Sequence, residues 1–176
     1  MPTPREVFIT REQFQALHDA AKAPHVRLFL MLAWFTAGRK EALLSLTWDQ
    51  INFKTGVVDL GAGVGNKGRA KPPMSPSLKN ALQESKKAAV TDYVVEWAGD
   101  RVRSIRKGFD KAAQAAKLPG ITPHDLRRSA ARVMIEKGIP MSEVSQYLGH
   151  SSTAVTEKVY GRFSPGYLRK AAEALE

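Results

Sequence analysis

Two imidazoles, a guanidinium and a phenol lie close together in the stretch from Thr122 to Arg162. His124 and Arg127 are three residues apart, so on a helix they face the same side. Leu148-Gly149-His150 follows, and Tyr160 comes ten residues after that histidine. A guanidinium forks onto phosphate oxygens, an imidazole moves protons, and a phenol can become a nucleophile. Together these types point to chemistry on a phosphodiester. Taken singly, each has an ordinary explanation: a surface histidine, a helix-end histidine, a half-buried aromatic with its hydroxyl wet.

Composition narrows the partners. The 176 residues suit one domain, spanning 1–176, with enough chain for a sizeable core. A net charge of +10 favours a polyanion, nucleic acid before an anionic membrane surface. No cysteine is present, which excludes disulfides, thiolate metal sites and a cysteine nucleophile and fits a cytoplasmic protein. The longest apolar run, Leu28 to Phe35, is far short of a membrane span. No membrane partner is expected.

The elements that must position these groups can be read in order. Pro2 and Pro4 keep the lead-in extended up to Ile9. Thr10 with Gln13 forms a capping-box pattern ahead of Phe14, Leu17 and Ala21. A helix over His25–Ala37 is apolar nearly all round and should lie at the centre of the core. Gly38 is expected to break it, just before Arg39. Leu43, Leu44 and Leu46 should turn inward from a short helix. Asn52–Met74 reads as β, with a turn at Lys54-Thr55-Gly56 and a strand over Val57–Leu60. A loose, glycine-rich stretch follows, carrying Lys67, Arg69 and Lys71. Its GAGVG lacks the Gly-Lys-Ser/Thr ending of a phosphate loop.

Ser75-Pro76 begins another helix, and Tyr93–Trp97 reads as a strand with a turn at Gly99-Asp100. A helix over Ser104–Ala116 follows. Thr122 and Pro123 start the His124 helix, which Gly138 and Pro140 stop. Ser142 should cap the next helix, Gly149 should end it, and Tyr160 should lie on a short helix from Thr153. A last helix bears Leu168, Ala172 and Leu175. The fold class is therefore mainly α with a small antiparallel β-sheet.

The composite His-x-x-Arg, Leu-Gly-His and following tyrosine resembles the catalytic motif of the tyrosine recombinases, the phage-integrase family. Upstream, TAGRKEALLSLTWDQI resembles that family's first arginine motif, with Thr36 three before Arg39 and Leu46 and Trp48 seven and nine after it. One departure is visible. The family commonly has Glu three after this arginine, where this chain has Ala42, with Glu41 one residue early. A carboxylate that would steady Arg39 is then missing or supplied otherwise.

The resemblance implies a catalytic set of Arg39, Lys67, His124, Arg127, His150 and Tyr160, without metal or cofactor. Tyr160 would be the nucleophile, His124 the base, and Arg39 and Arg127 the clamp on the non-bridging oxygens. His150 would add a hydrogen bond, and Lys67, or Lys71 in another register, would protonate the leaving oxygen. Arg69, Lys71 and Arg128 would contact DNA. Arg128, Arg132 and Lys137 otherwise read as solvated or backbone-contacting charges.

The implied activity is cleavage and rejoining of double-stranded DNA through a 3′-phosphotyrosine, with assembly as a tetramer on DNA. Alternatives are a binding module of the same fold that has lost catalysis, a type IB topoisomerase-like enzyme, and a metal-free RNase using His124 and His150. The family's N-terminal DNA-binding domain is not expected within these residues. The final helix would either pass to a neighbouring protomer or pack on its own domain.

Overall fold

The structure is a computed structural model, and it describes residues 6–61, 70–164 and 166–176. Lys67 and Arg69 lie outside the described residues.

Thr10 accepts a hydrogen bond from the Gln13 amide while the Gln13 side chain returns to Thr10, so the capping box is complete at the start of α1 (Arg11–Ala20). The buried face of α1, Phe14 and Leu17, lies against α2 (Pro24–Thr36). Helix α2 buries residues on every side, among them Leu28, Phe29, Leu30, Leu32 and Trp34. It packs against α1, α3 (Lys40–Leu44), α4 (Pro76–Lys87) and α6 (Pro123–Glu136). A core leucine or phenylalanine of this kind contributes about 1.5–3 kcal/mol when fully buried. The all-round apolar pattern thus makes α2 the post around which the other helices stand.

The end of α2 differs from expectation. The left-handed residue is Ala37 (φ 49, ψ 29), and Gly38 does not carry the reversal. Gly38 is required for space instead. A Cβ there would meet Leu43 Cδ2 at 2.6 Å and Thr36 Oγ1 at 2.9 Å. The tight packing sets Arg39 directly at the N-cap of α3.

Strands β1 (Ile51–Asn52) and β2 (Val57–Val58) pair antiparallel around Gly56, which has a φ of 71. The chain returns beside β2, where Val58 N donates to Pro72 O at 3.0 Å and Leu60 N to Ala70 O at 3.0 Å. The expected strand over Tyr93–Trp97 is shorter. Tyr93 only bridges Thr47, and the ladder proper is β3 (Glu96–Trp97) with β4 (Asp100–Arg101). The turn falls at Ala98-Gly99, both at positive φ, as a two-residue hairpin demands. The Glu96 carboxylate accepts from Val90 N and Thr91 N, bending the approach so that a longer strand does not form. The β component among the described residues is two short antiparallel ladders, within a mainly helical domain.

Helix α5 (Arg106–Ala115) leads to α6, which Thr122 caps through a box with Asp125. Helix α7 (Met141–Leu148) begins after Pro140, with Ser142 inside it and not at its cap, and Gly149 ends it in the left-handed region at φ 66. Helix α8 (Thr153–Tyr160) runs into a short 3-10 turn, Gly161–Phe163, and α9 (Tyr167–Glu173) follows. In the final stretch Ala172 and Leu175 are exposed, while the Leu168 side chain lies outside what the structure describes. A second apolar cluster joins α6, α7 and α8 through Ala131, Ile135, Val144, Leu148 and Tyr160, with Ala37 at its edge. No helix among the described residues is long and apolar enough to cross a membrane.

Candidate active site

The site forms where two helix C-termini meet the N-terminal half of α6. Arg127 is 6% exposed, and its Nη1 donates to Ala37 O at 2.6 Å while Nη2 donates to Leu148 O at 2.8 Å. Those carbonyls close α2 and α7, where helix dipoles leave partial negative charge. Nη2 also lies 3.3 Å from His150 Nε2. A guanidinium only donates, so Nε2 accepts in this contact and the His150 ring proton sits on Nδ1. That nitrogen meets Thr156 Oγ1 at 2.9 Å, and Thr156 is fully buried.

Arg127 is thus held by carbonyls and an imidazole. Among the described residues no carboxylate forms an ion pair with it or with the half-buried Arg39. Burial, then the charge of Arg39, lowers the Arg127 pKa to about 10, so it stays protonated at neutral pH. Its unused N–H groups remain for an anion.

Both imidazoles sit below their ordinary pKa. For His124 partial burial acts first, then Arg127 and Arg128, with Asp125 opposing and Arg39 adding to the lowering. For His150 burial again leads, followed by Arg127 and Arg39. Arg39 thus acts electrostatically on His124, Arg127 and His150, and Arg127 is bonded to the carbonyl of Ala37, two residues before it. Tyr160 is 5% exposed, and burial raises its pKa, partly offset by Arg128 and Arg127. At neutral pH Arg127 therefore rests charged, the two imidazoles neutral and the Tyr160 phenol protonated.

Five of the residues expected from the sequence, Arg39, His124, Arg127, His150 and Tyr160, are brought together. Lys71 pairs with Asp59 at 3.1 Å on the returning strand. Glu41 pairs with Lys40 at 3.2 Å and does not take the place of the carboxylate missing at Ala42. Arg128 is not a free surface charge: it hydrogen-bonds the Tyr160 hydroxyl and stacks over Phe8 at 5.4 Å. Thr156 was not anticipated. The signal available was a polar residue four before Tyr160 on the same helix face.

Beside the cluster a cleft of about 570 Å³ is lined by Lys40, Arg103, Arg106 and the Thr122-Pro123 turn. Among the described residues no group of three His, Asp or Glu side chains is placed to hold a metal.

A mainly helical domain that brings arginine, histidine and tyrosine together from separate helices defines a recognisable class. The chain matches the phage integrase family over residues 7–165 and belongs to that family. It is 29% identical to the tyrosine recombinase XerA of Pyrococcus furiosus over 181 aligned positions, covering 94% of this chain and 60% of that protein. The chain thus spans about 60% of the length of that relative. Among solved structures it resembles the catalytic domain of bacteriophage HP1 integrase, with a TM-score of 0.74 at 19% identity, covering 96% of this chain and 95% of that one. It also resembles the Tn1549 transposon integrase in complex with circular intermediate DNA, with a TM-score of 0.79 at 17% identity, covering 99% and 68%. These structural likenesses establish the fold.

Proposed function

We propose that this chain is the catalytic domain of a site-specific tyrosine recombinase that breaks and rejoins double-stranded DNA without a metal or cofactor. The observation that carries the reading is Arg127, bonded to Ala37 O two residues before Arg39, to Leu148 O and to His150 Nε2, on a helix packed with Tyr160, and with no carboxylate ion pair among the described residues. Such a site is short of one thing, an anion.

In the proposed reaction the two guanidiniums hold the non-bridging oxygens of the scissile phosphate, where fixed positive charge stabilises the phosphorane. Tyr160 Oη attacks phosphorus, and its proton passes to neutral His124. The bond from phosphorus to the 5′ oxygen breaks, and a lysine of the hairpin, Lys67 or Lys71, protonates that oxygen. The product is a 3′-phosphotyrosine and a free 5′ hydroxyl. A second 5′ hydroxyl then reverses the step and seals the strand, so no external energy source enters. His150, fixed through Nδ1 by Thr156, donates to the phosphate from Nε2 once that nitrogen has left Arg127 and taken up a proton.

Lys40, Arg103 and Arg106 around the neighbouring cleft would track the flanking backbone, together with Arg69 and Lys71. Such contacts make binding strongly salt-dependent. The similarity to a DNA-bound integrase supports DNA as the partner. Assembly on DNA into a tetramer, and action in the cytoplasm where DNA is accessible, belong to the same reading.

The test is a nicked suicide DNA, whose cleaved end diffuses away and traps the intermediate. The wild-type chain should give an adduct that survives denaturation, and Tyr160→Phe should bind DNA yet give none. An adduct that persists in Tyr160→Phe would remove the phenol from its role. A salt-sensitive complex with no adduct from the wild type would leave a DNA-binding module.

A further inference from the structure

We infer that the segment entering the first helix, Glu6–Ile9, positions the Tyr160 phenol through a clasp of arginines and phenylalanines. The inference rests on the proposed role of Tyr160, and it goes beyond the five residues gathered at the phosphate site.

Tyr160 is the last residue of α8, so its phenol depends on how the following turn is held. That turn is held from the other end of the chain. Phe8 and Phe163 meet edge to face, with ring centroids 5.4 Å apart. The Arg132 guanidinium of α6 stacks on both rings, 4.7 Å from Phe8 and 4.3 Å from Phe163. Arg162 stacks on Phe163 at 4.8 Å and forms an ion pair with Glu6. Ile9 N donates to Ser129 Oγ at 2.9 Å, which anchors the segment to α6.

Phe8 also lies under Arg128, the arginine that hydrogen-bonds the Tyr160 hydroxyl. One ring therefore backs two guanidiniums. Through Arg128 it bears on the phenolic oxygen, and through Arg132 and Phe163 it bears on the backbone just beyond the tyrosine. A cation over an aromatic face is attracted by the ring quadrupole, which an aliphatic side chain lacks. Gly161, the first residue of that turn, has no side chain with which to anchor it. The clasp supplies the restraint that the local chain does not. Phe8, Arg132 and Phe163 are thus positioning residues, acting through Arg128 and the turn and not on the phosphate.

The experiment compares the wild-type chain with Phe8→Leu, which keeps apolar bulk, and Phe8→Trp, which keeps an aromatic face. Adduct formation is timed on nicked suicide DNA at saturating and at limiting DNA. Amide hydrogen exchange over residues 156–163 is measured on the DNA-free protein. Phe8→Leu should slow adduct formation about tenfold at saturating DNA, with DNA affinity unchanged within about twofold. Its exchange over 156–163 should rise, and Phe8→Trp should restore both.

A wild-type rate and unchanged exchange in Phe8→Leu would overturn the inference, as would losses that Phe8→Trp does not restore. If Phe8→Leu fails to fold, the exposed pair decides: Glu6→Gln must raise exchange over 161–163, and no rise sinks the clasp. If the wild type itself forms no adduct, the functional reading fails while the exchange comparison still decides whether the clasp exists.

Discussion

Arg127 and Ala37 are 90 positions apart, yet the guanidinium of one donates to the backbone carbonyl of the other at 2.6 Å. The same group holds Leu148 O, so one side chain joins the ends of α2 and α7 across α6. The proposed phosphate clamp and the packing of the fold therefore depend on one side chain.

Arg127→Ala should cost stability as well as cleavage. It strands two buried carbonyls, each worth about 1–3 kcal/mol when left without a donor. Arg127→Lys keeps a charge but lacks the planar fork that reaches both carbonyls, so it should lose about 1–3 kcal/mol too. Urea midpoints, with the slope unchanged, measure both. Wild-type stability in Arg127→Lys would mean the bridge between helices is not a fold contact.

Gly38→Ala should disturb Arg39 without touching any charged group. The added methyl meets Leu43 Cδ2 and Thr36 Oγ1 closer than real contacts allow. Thr36 Oγ1 already accepts from Gly38 N at 3.1 Å, so relief means shifting the buried Leu43 side chain or giving up that hydrogen bond. A loss of about 1–3 kcal/mol is expected, with a fall in adduct formation at saturating DNA. Thermal melting and suicide-substrate rates in parallel would reveal a silent substitution and remove the packing argument.

Thr156→Val removes the partner of His150 Nδ1 while keeping shape. The imidazole is then free to place its proton on either nitrogen, because the tautomer is set by the bond the other nitrogen makes. Adduct formation should fall about tenfold, a barrier change of about 1.4 kcal/mol, with DNA affinity held. Nitrogen-15 shifts of the His150 ring would report the tautomer. A ring still protonated on Nδ1 in the variant would break the argument.

Both site histidines should titrate below the ordinary histidine value in the DNA-free protein, followed by NMR. The folded state binds those protons more weakly than the unfolded chain. Their contribution to stability is therefore full above the unfolded value, near pH 6.5, and is lost as pH falls through the lower folded values. Tyr147 acts on the alkaline side. Burial pushes its phenol up to about 12, and its hydroxyl donates to Phe35 O. That contribution is full below about pH 10 and is lost as pH rises toward about 12. Unfolding free energies that stay flat from pH 7 to pH 5 would contradict the histidine part.

Much of this arrangement was legible in the residues themselves. The Thr10–Gln13 box, the Ser75 cap and the start of α6 at Thr122 depend on side chains reaching backbone groups within three residues. Such contacts are local, so the pattern of types reveals them. The central place of α2 was readable because a helix apolar on every face has nowhere else to go. Local rules failed where packing overrode them. The reversal at Ala37 falls one residue before the glycine, because Gly38 is needed where Leu43 closes in. The Tyr93 strand was cut short by Glu96 reaching back to Val90 and Thr91.

Residue order alone determined the chemical inventory: two arginines, two histidines and a tyrosine at spacings that match one family, on helices whose caps are written locally. Only the tertiary structure decided that Arg127 is bonded to carbonyls and not to a carboxylate. It alone put Thr156 behind His150 and Phe8 beneath the arginine of Tyr160. Each of these depends on how helices from distant parts of the chain come to rest against one another, and neither periodicity nor spacing encodes that.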